Sequence, residues 1–71
     1  MIDYIAWAIE YEEQADKLMR HIEELKSLKE TQHLSLDDIH DLNERIIRLT
    51  NLYHDHRLTA KHLRERNKNA K

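Results

Sequence analysis

The 71-residue chain contains no glycine, no proline, no cysteine and no phenylalanine. Each absence excludes something. Without cysteine there is no disulfide framework and no thiolate metal site. Without glycine there is no Gly-rich loop to cradle a phosphate. Tight β-hairpin turns draw on glycine, so their scarcity here argues against an all-β fold. No apolar run approaches the ~18 residues of a membrane span, and no basic segment precedes an apolar signal-like core. These exclusions point to a cytoplasmic, helical protein with no membrane partner. With 12 Lys+Arg against 14 Asp+Glu, the net charge is -2 and 37% of the residues are charged. The length holds one domain.

Two amphipathic segments fill that domain. In the first, over about residues 3–30, Tyr4, Ala8, Tyr11, Ala15, Leu18, Ile22 and Leu25 recur at alternating steps of four and three, the seam of a packed helix pair. Trp7, Met19 and Leu28 widen the stripe. Asp3 is placed to cap the start. Glu10, Glu12 and Glu13 are expected to favour the positive end of the helix dipole. Glu13–Lys17 and Asp16–Arg20 have the i,i+4 spacing of helical ion pairs. The second segment, about residues 35–67, carries Ile39, Leu42, Ile46, Leu49, Tyr53, His56, Ala60 and Leu63 at the same steps. Ser35 with Asp38 three residues on is a variant capping box, and Leu34 with Ile39 is its hydrophobic staple. Residues 68–71 read as a fraying tail.

A connection of about four residues, Thr31-Gln32-His33-Leu34, makes the two helices antiparallel neighbours. Leu25 then lies near Leu42, Leu18 near Leu49, Tyr11 near Tyr53, and Tyr4 near Ala60 and Leu63. Residues 1–16 carry five acids and no base, and residues 57–71 carry six bases and one acid. Folding back sets the acidic end beside the basic end. The expected fold is all-α: a single-domain antiparallel two-helix hairpin. One seam is a thin core for a chain this small. With neither disulfide nor metal to staple it, the expected remedy is a homodimer forming a four-helix bundle.

The apolar residues outside the seam are the candidate partner-binding set. Ile2, Ile5, Trp7 and Ile9 cluster at one end, with Ile2, Ile5 and Ile9 on the side of the first helix away from its seam. Leu36, Ile47 and Leu58, with His40 and His54 beside them, run along the back of the second. They are read as contacts to a second copy and to a larger protein.

Few of the polar residues stand in arrangements that carry chemistry. His54 and His56 are two apart on a helix and point away from each other, and His56 and His62 diverge as well, so no metal is expected. His56 sits in the seam beside Tyr11, Glu12 and Ala8. There it sets the register by a hydrogen bond to Glu12 or a tyrosine hydroxyl, with a pH switch as the alternative. Glu10-x-x-Glu13 and Asp38-x-x-Asp41 resemble the acidic pairs of all-helical nucleotide pyrophosphatases, but all four acids face away from the seam. Ser27 and Ser35 lack a base, so no catalytic residue and no cofactor are assigned. The basic end, with Arg57, Lys61 and Arg64 at its centre, supports the alternative of a dimeric RNA- or DNA-binding hairpin, resembling the plasmid copy-control hairpin that grips RNA.

Two resemblances bear on function. The run Leu42-Asn43-Glu44-Arg45-Ile46-Ile47-Arg48-Leu49, with Tyr53 beyond it, resembles the second helix of the small sporulation aspartyl-phosphatase hairpins of Gram-positive bacteria. Asn43-Glu44 stands where that family has Ser-Gln, and Ile47 where it has Asp. The resemblance therefore implies a similar hairpin without the phosphatase activity. The stretch Leu52-Tyr53-His54-Asp55-His56-Arg57-Leu58-Thr59-Ala60-Lys61 is similar in style to small helical proteins of phages and mobile elements. That likeness implies a small non-enzymatic regulator or inhibitor of a larger protein, such as an anti-CRISPR or other anti-defence protein.

Overall fold

A computed structural model describes residues 2–69. It has two helices, α1 over Tyr4–Thr31 and α2 over Leu36–Asn69, packed against each other as an antiparallel hairpin. The hairpin is a rod of 55 × 14 × 14 Å with a radius of gyration of 16.3 Å. A compact domain of this length has a radius near 11 Å. The elongation follows from the 34 residues of α2, which at ~1.5 Å each span about 51 Å.

Both helix starts form as their sequences dictate. The Asp3 carboxylate accepts from the Ala6 amide at 3.0 Å, and the Ser35 hydroxyl oxygen accepts from the Asp38 amide at 3.2 Å. The Ile39 amide donates to the Ser35 carbonyl at 3.0 Å. Asp37 and Asp38 occupy the first turn of α2 and Arg66 and Lys68 its last, each complementing the dipole. The first turn of α1 holds no acid, so Glu10, Glu12 and Glu13 lie too far along to act on its dipole. Nor are Glu13–Lys17 and Asp16–Arg20 among the ion pairs formed. Among the described residues, Arg48–Glu44 is the ion pair within a helix, and His21–Glu24 and His40–Glu44 are close contacts that become ion pairs only with a protonated imidazole.

The turn needs no glycine. α1 ends as Gln32 swings into extended backbone (φ -106, ψ 144) while its amide still donates to the Leu28 carbonyl at 3.1 Å. No described residue has a positive φ. At the other end α2 continues to Asn69, two residues past the expected stop, so Lys68 is helical. Residues 70 and 71 of the expected tail lie outside the described part.

The core is narrow. Ala8, Ala15, Ile22, Leu25, Ala60 and Leu63 are its buried hydrophobic residues, and only Ile22 among the large ones is fully enclosed, at 1% exposure. At the open end Ala8, Ala60 and Leu63 form a cluster flanked by Tyr4 and Tyr11, which places Tyr4 by Ala60 and Leu63 as its spacing requires. Two alanines there let the helices approach closely. The Tyr11 ring meets His56 edge-on at 5.4 Å and 79°, one helical turn beyond Tyr53. Met19 is half-buried and does widen the seam, whereas Trp7 and Leu28 are each 44% exposed and lie outside it.

Ile22→Ala is expected to cost about 2–5 kcal/mol, because the rod has no second layer to collapse into the cavity. Ser35→Ala is expected to cost about 1 kcal/mol by removing the α2 cap. Urea unfolding followed by circular dichroism measures both, and the order Ile22 above Ser35 is the outcome that identifies the seam as the main source of stability.

Candidate functional site

The seam steps assign a heptad position to every residue of the two helices. In α1, Ala8, Ala15 and Ile22 occupy a, and Tyr4, Tyr11, Leu18 and Leu25 occupy d. In α2, Ile39, Ile46, Tyr53 and Ala60 occupy a, and Leu42, Leu49, His56 and Leu63 occupy d. All of these are buried or half-buried. In an antiparallel pair the e positions of the two helices share one edge and the g positions the other. The two edges differ. At e, the side chains of Ile5, Glu12 and Met19 on α1 and Asn43 and Thr50 on α2 are half-buried; at g, only Thr59 is.

The e edge carries the main groove. Ile5 and Glu12 form its α1 wall, and His54, Arg57, Leu58, Lys61, Arg64 and Lys68 its α2 wall, around an open volume of about 930 Å³. The α2 residues recur at three and four positions, so one helix face presents them together. Across the mouth, Arg64 Nε donates to Glu12 Oε2 at 2.7 Å and Nη2 to Oε1 at 2.6 Å. This two-pronged pair is the acidic-to-basic pairing expected of the folded-back ends. The Arg64 hydrogen bonds hold the Glu12 carboxyl below the usual carboxylate range; partial burial opposes them, and the charges of Arg64 and Arg57 add to the lowering. Glu12 in turn raises Arg64. A smaller hollow of about 340 Å³ lies at the loop end on the g edge, between Leu28, Leu34 and Arg45.

The expected partner-binding residues sort cleanly. Ile9, His40, Ile47 and His54 occupy b, Ile5 and Leu36 occupy e, and Leu58 occupies f, so they fall on the flank that continues the e edge; Ile2 lies ahead of the extended Asp3 cap, outside α1, and belongs to no helix face. Trp7 alone sits at g, on the opposite edge, where Leu28 and Leu52 are also exposed. Most of the set is open to solvent, from Ile9 at 42% to Ile47 at 59% and Leu36 at 85%. Ile5 departs from expectation: it is half-buried and borders the seam rather than facing away from it. His40 pairs with Glu44 at 3.2 Å, and the His54 ring packs against Tyr53 at 5.3 Å.

Arg57, Lys61 and Arg64 do converge on the groove, but Arg64 is taken by Glu12. Spacing alone had not singled out Glu12 as its partner, nor Lys68 as a fourth basic lining residue. His56 does not use Glu12 either, since Arg64 holds that carboxylate; the imidazole stays half-buried against Tyr11. No three His, Asp or Glu side chains among the described residues converge as metal ligands would. No helix among them is long and apolar enough to cross a membrane. Comparison with known proteins returns no match: no family model, no curated sequence and no solved structure is similar to this chain.

The Glu12–Arg64 pair gives a pH signature. A carboxylate with a lowered folded-state pKa adds stability that is complete above its unfolded value of ~4.3 and is lost as pH falls through the folded value. Thermal unfolding is therefore expected to show Glu12→Gln less stable than the natural chain at neutral pH. The two melting curves should converge at pH values below Glu12's lowered pKa, where Glu12 is itself protonated.

Proposed function

We propose that the chain is a small non-enzymatic, protein-binding regulator or inhibitor, working in the cytoplasm as a homodimer that engages a larger protein. The observation that supports this is the number of bulky apolar side chains left outside. Ile2, Trp7, Ile9, Leu28, Leu36, Ile47, Leu52 and Leu58 are large and exposed, while half of the buried hydrophobic residues are alanines. A hairpin with so much bulky apolar surface over so thin a core is suited to being covered by protein. An anti-defence role of the anti-CRISPR kind suits such a chain: blocking a larger machine requires contact area and charge, not catalysis. Charged rims of both signs would set orientation and encounter rate.

A second reading, nucleic-acid binding, draws on Arg57, Lys61 and Lys68 at the groove. It is weaker, because Arg64 is neutralised by Glu12 and Ile5 and Leu58 lie where phosphates would sit.

The two readings separate by experiment. With the chain immobilised and its native cell extract passed over it, Ile47→Asp is expected to reduce capture of the protein target at least ~10-fold while helicity is unchanged. Equal capture by both forms removes Ile47 from the target-binding surface, and the absence of any captured protein removes the protein-binding reading. If nucleic acid is the target, fluorescence anisotropy with a labelled oligonucleotide should show affinity falling steeply with salt, and more weakly so once Arg57 and Lys61 are replaced by Gln.

A further inference from the structure

We infer that the face formed by the e and b positions is where a second copy of this chain docks, side by side, with α1 of each copy lying along α2 of the other. This rests on the dimer element of the proposed function and assigns it a surface.

Four observations carry it. First, the chain exposes 5877 Å². A compact monomer of 8.7 kDa exposes about 4,700 Å². The excess of about 1,100 Å² exceeds the ~800 Å² that each partner buries in a standard stable interface. Second, Ile5, Glu12, Met19, Asn43 and Thr50 are half-buried, so the helices lean together along the e edge, and Ile5 and Met19 extend the apolar stripe of α1 onto it. A four-helix bundle built on that edge has its centre beyond it. Third, this face holds the apolar residues Ile5, Ile9, Met19, Leu36 and Ile47, with Leu58 beside them, against only Trp7, Leu28 and Leu52 on the g edge.

Fourth, the face is self-complementary in charge. Its α1 half carries Glu12, Asp16 and Glu23 against Lys26, and its α2 half carries Arg57, Lys61, Arg64 and Lys68, with Glu65 beside them. A two-fold axis parallel to the rod keeps the ends level and sets each α1 antiparallel to α2 of the second copy. Ile9 then falls level with Leu58 of the second copy, and Met19 with Ile47. Asp16 and Lys61 stand one turn further along from Glu12 and Arg64, and their residue numbers have nearly the same sum. Because long helical side chains lean toward their own N-termini, they meet between copies as Glu12 and Arg64 meet within one. Neither Asp16 nor Lys61 is in an ion pair among the described residues of the single hairpin. The interface is closed and isologous, so it ends at two copies. Trp7 and Leu52 remain outside it, free for a different protein.

Light scattering and sedimentation equilibrium of the purified full chain, free of nucleic acid, are expected to give twice 8.7 kDa. Ile9→Asp and Ile47→Asp replace exposed residues, so each should stay helical by circular dichroism. Each should also weaken dimerisation on the order of 100-fold, while Trp7→Ala leaves it unchanged. Asp16→Lys or Lys61→Glu alone is expected to weaken the dimer a few-fold, ~2–5, and the two together to restore it. A monomer at ~100 μM, far above the dissociation constants of standard interfaces, overturns the inference. So does a dimer lost on Trp7→Ala but kept in both aspartate variants, or one that forms only on adding an oligonucleotide. Failure of the charge swap to rescue overturns the side-by-side arrangement. Loss of target capture by the Trp7→Ala dimer would leave this inference standing, and a monomer that still captures its target would leave the protein-binding reading standing.

Discussion

Two helices share one interface, and that interface is all the burial this chain has. At the open end it is narrowed by Ala8 and Ala60, and at its middle it depends on Ile22. Alanines bring the helix axes together but contribute little apolar area each, since burial free energy scales with the surface removed from water. The hairpin is consequently long, thin and rich in exposed surface, and much of what is unusual on its outside follows from that thinness. Side chains that would be interior in a larger bundle, such as Leu36, Ile47 and Leu58, have nothing above them.

Charge organises what hydrophobicity leaves open. An antiparallel pair of amphipathic rods can slide by a heptad with little change in apolar contact, so some polar contact has to distinguish the registers. The fork of Arg64 on Glu12 does this at the open end, and Lys29 donating to Asn43 at 2.8 Å does it near the turn. Both join residues far apart in sequence, and both lie at the edge of the seam, where a charged group keeps part of its hydration. Segregating acids into the first part of α1 and bases into the last part of α2 also makes the lateral face antisymmetric in charge. A surface with that property matches a rotated copy of itself.

Much of the fold was legible before any coordinates. The unbroken three-and-four spacing identified the seam residues, and Asp3 and Ser35 marked both helix starts, because caps and periodicity are local properties. Local reasoning went wrong where geometry across the pair mattered. Ile5 looked like an outward residue on a helical wheel, yet the edge it occupies is the one along which the helices lean together. Trp7 and Leu28 looked like extensions of the seam, yet they sit on the edge that opens. Glu13–Lys17 and Asp16–Arg20 had ideal spacing but are not formed, since an exposed i,i+4 pair gains too little to hold two long side chains in place. His56 was expected to bond Glu12 or a tyrosine hydroxyl; Arg64 holds that carboxylate, and the imidazole instead meets the Tyr11 ring edge-on.

The amino-acid order by itself determined that there are two helices, where each begins, which face of each is buried, and that they run antiparallel. All of these depend on interactions between residues a few positions apart or on the length of one short connection. Only the packed pair decided which edge is closed and which is open, that Arg64 meets Glu12, and that Ile9, Leu36, Ile47 and Leu58 share one flank while Leu28 and Leu52 lie on the other. Those properties depend on the rotation of one helix about its axis relative to the other. That rotation is set by how alanine, tyrosine and leucine side chains interlock across the seam, and no spacing along a single helix encodes it.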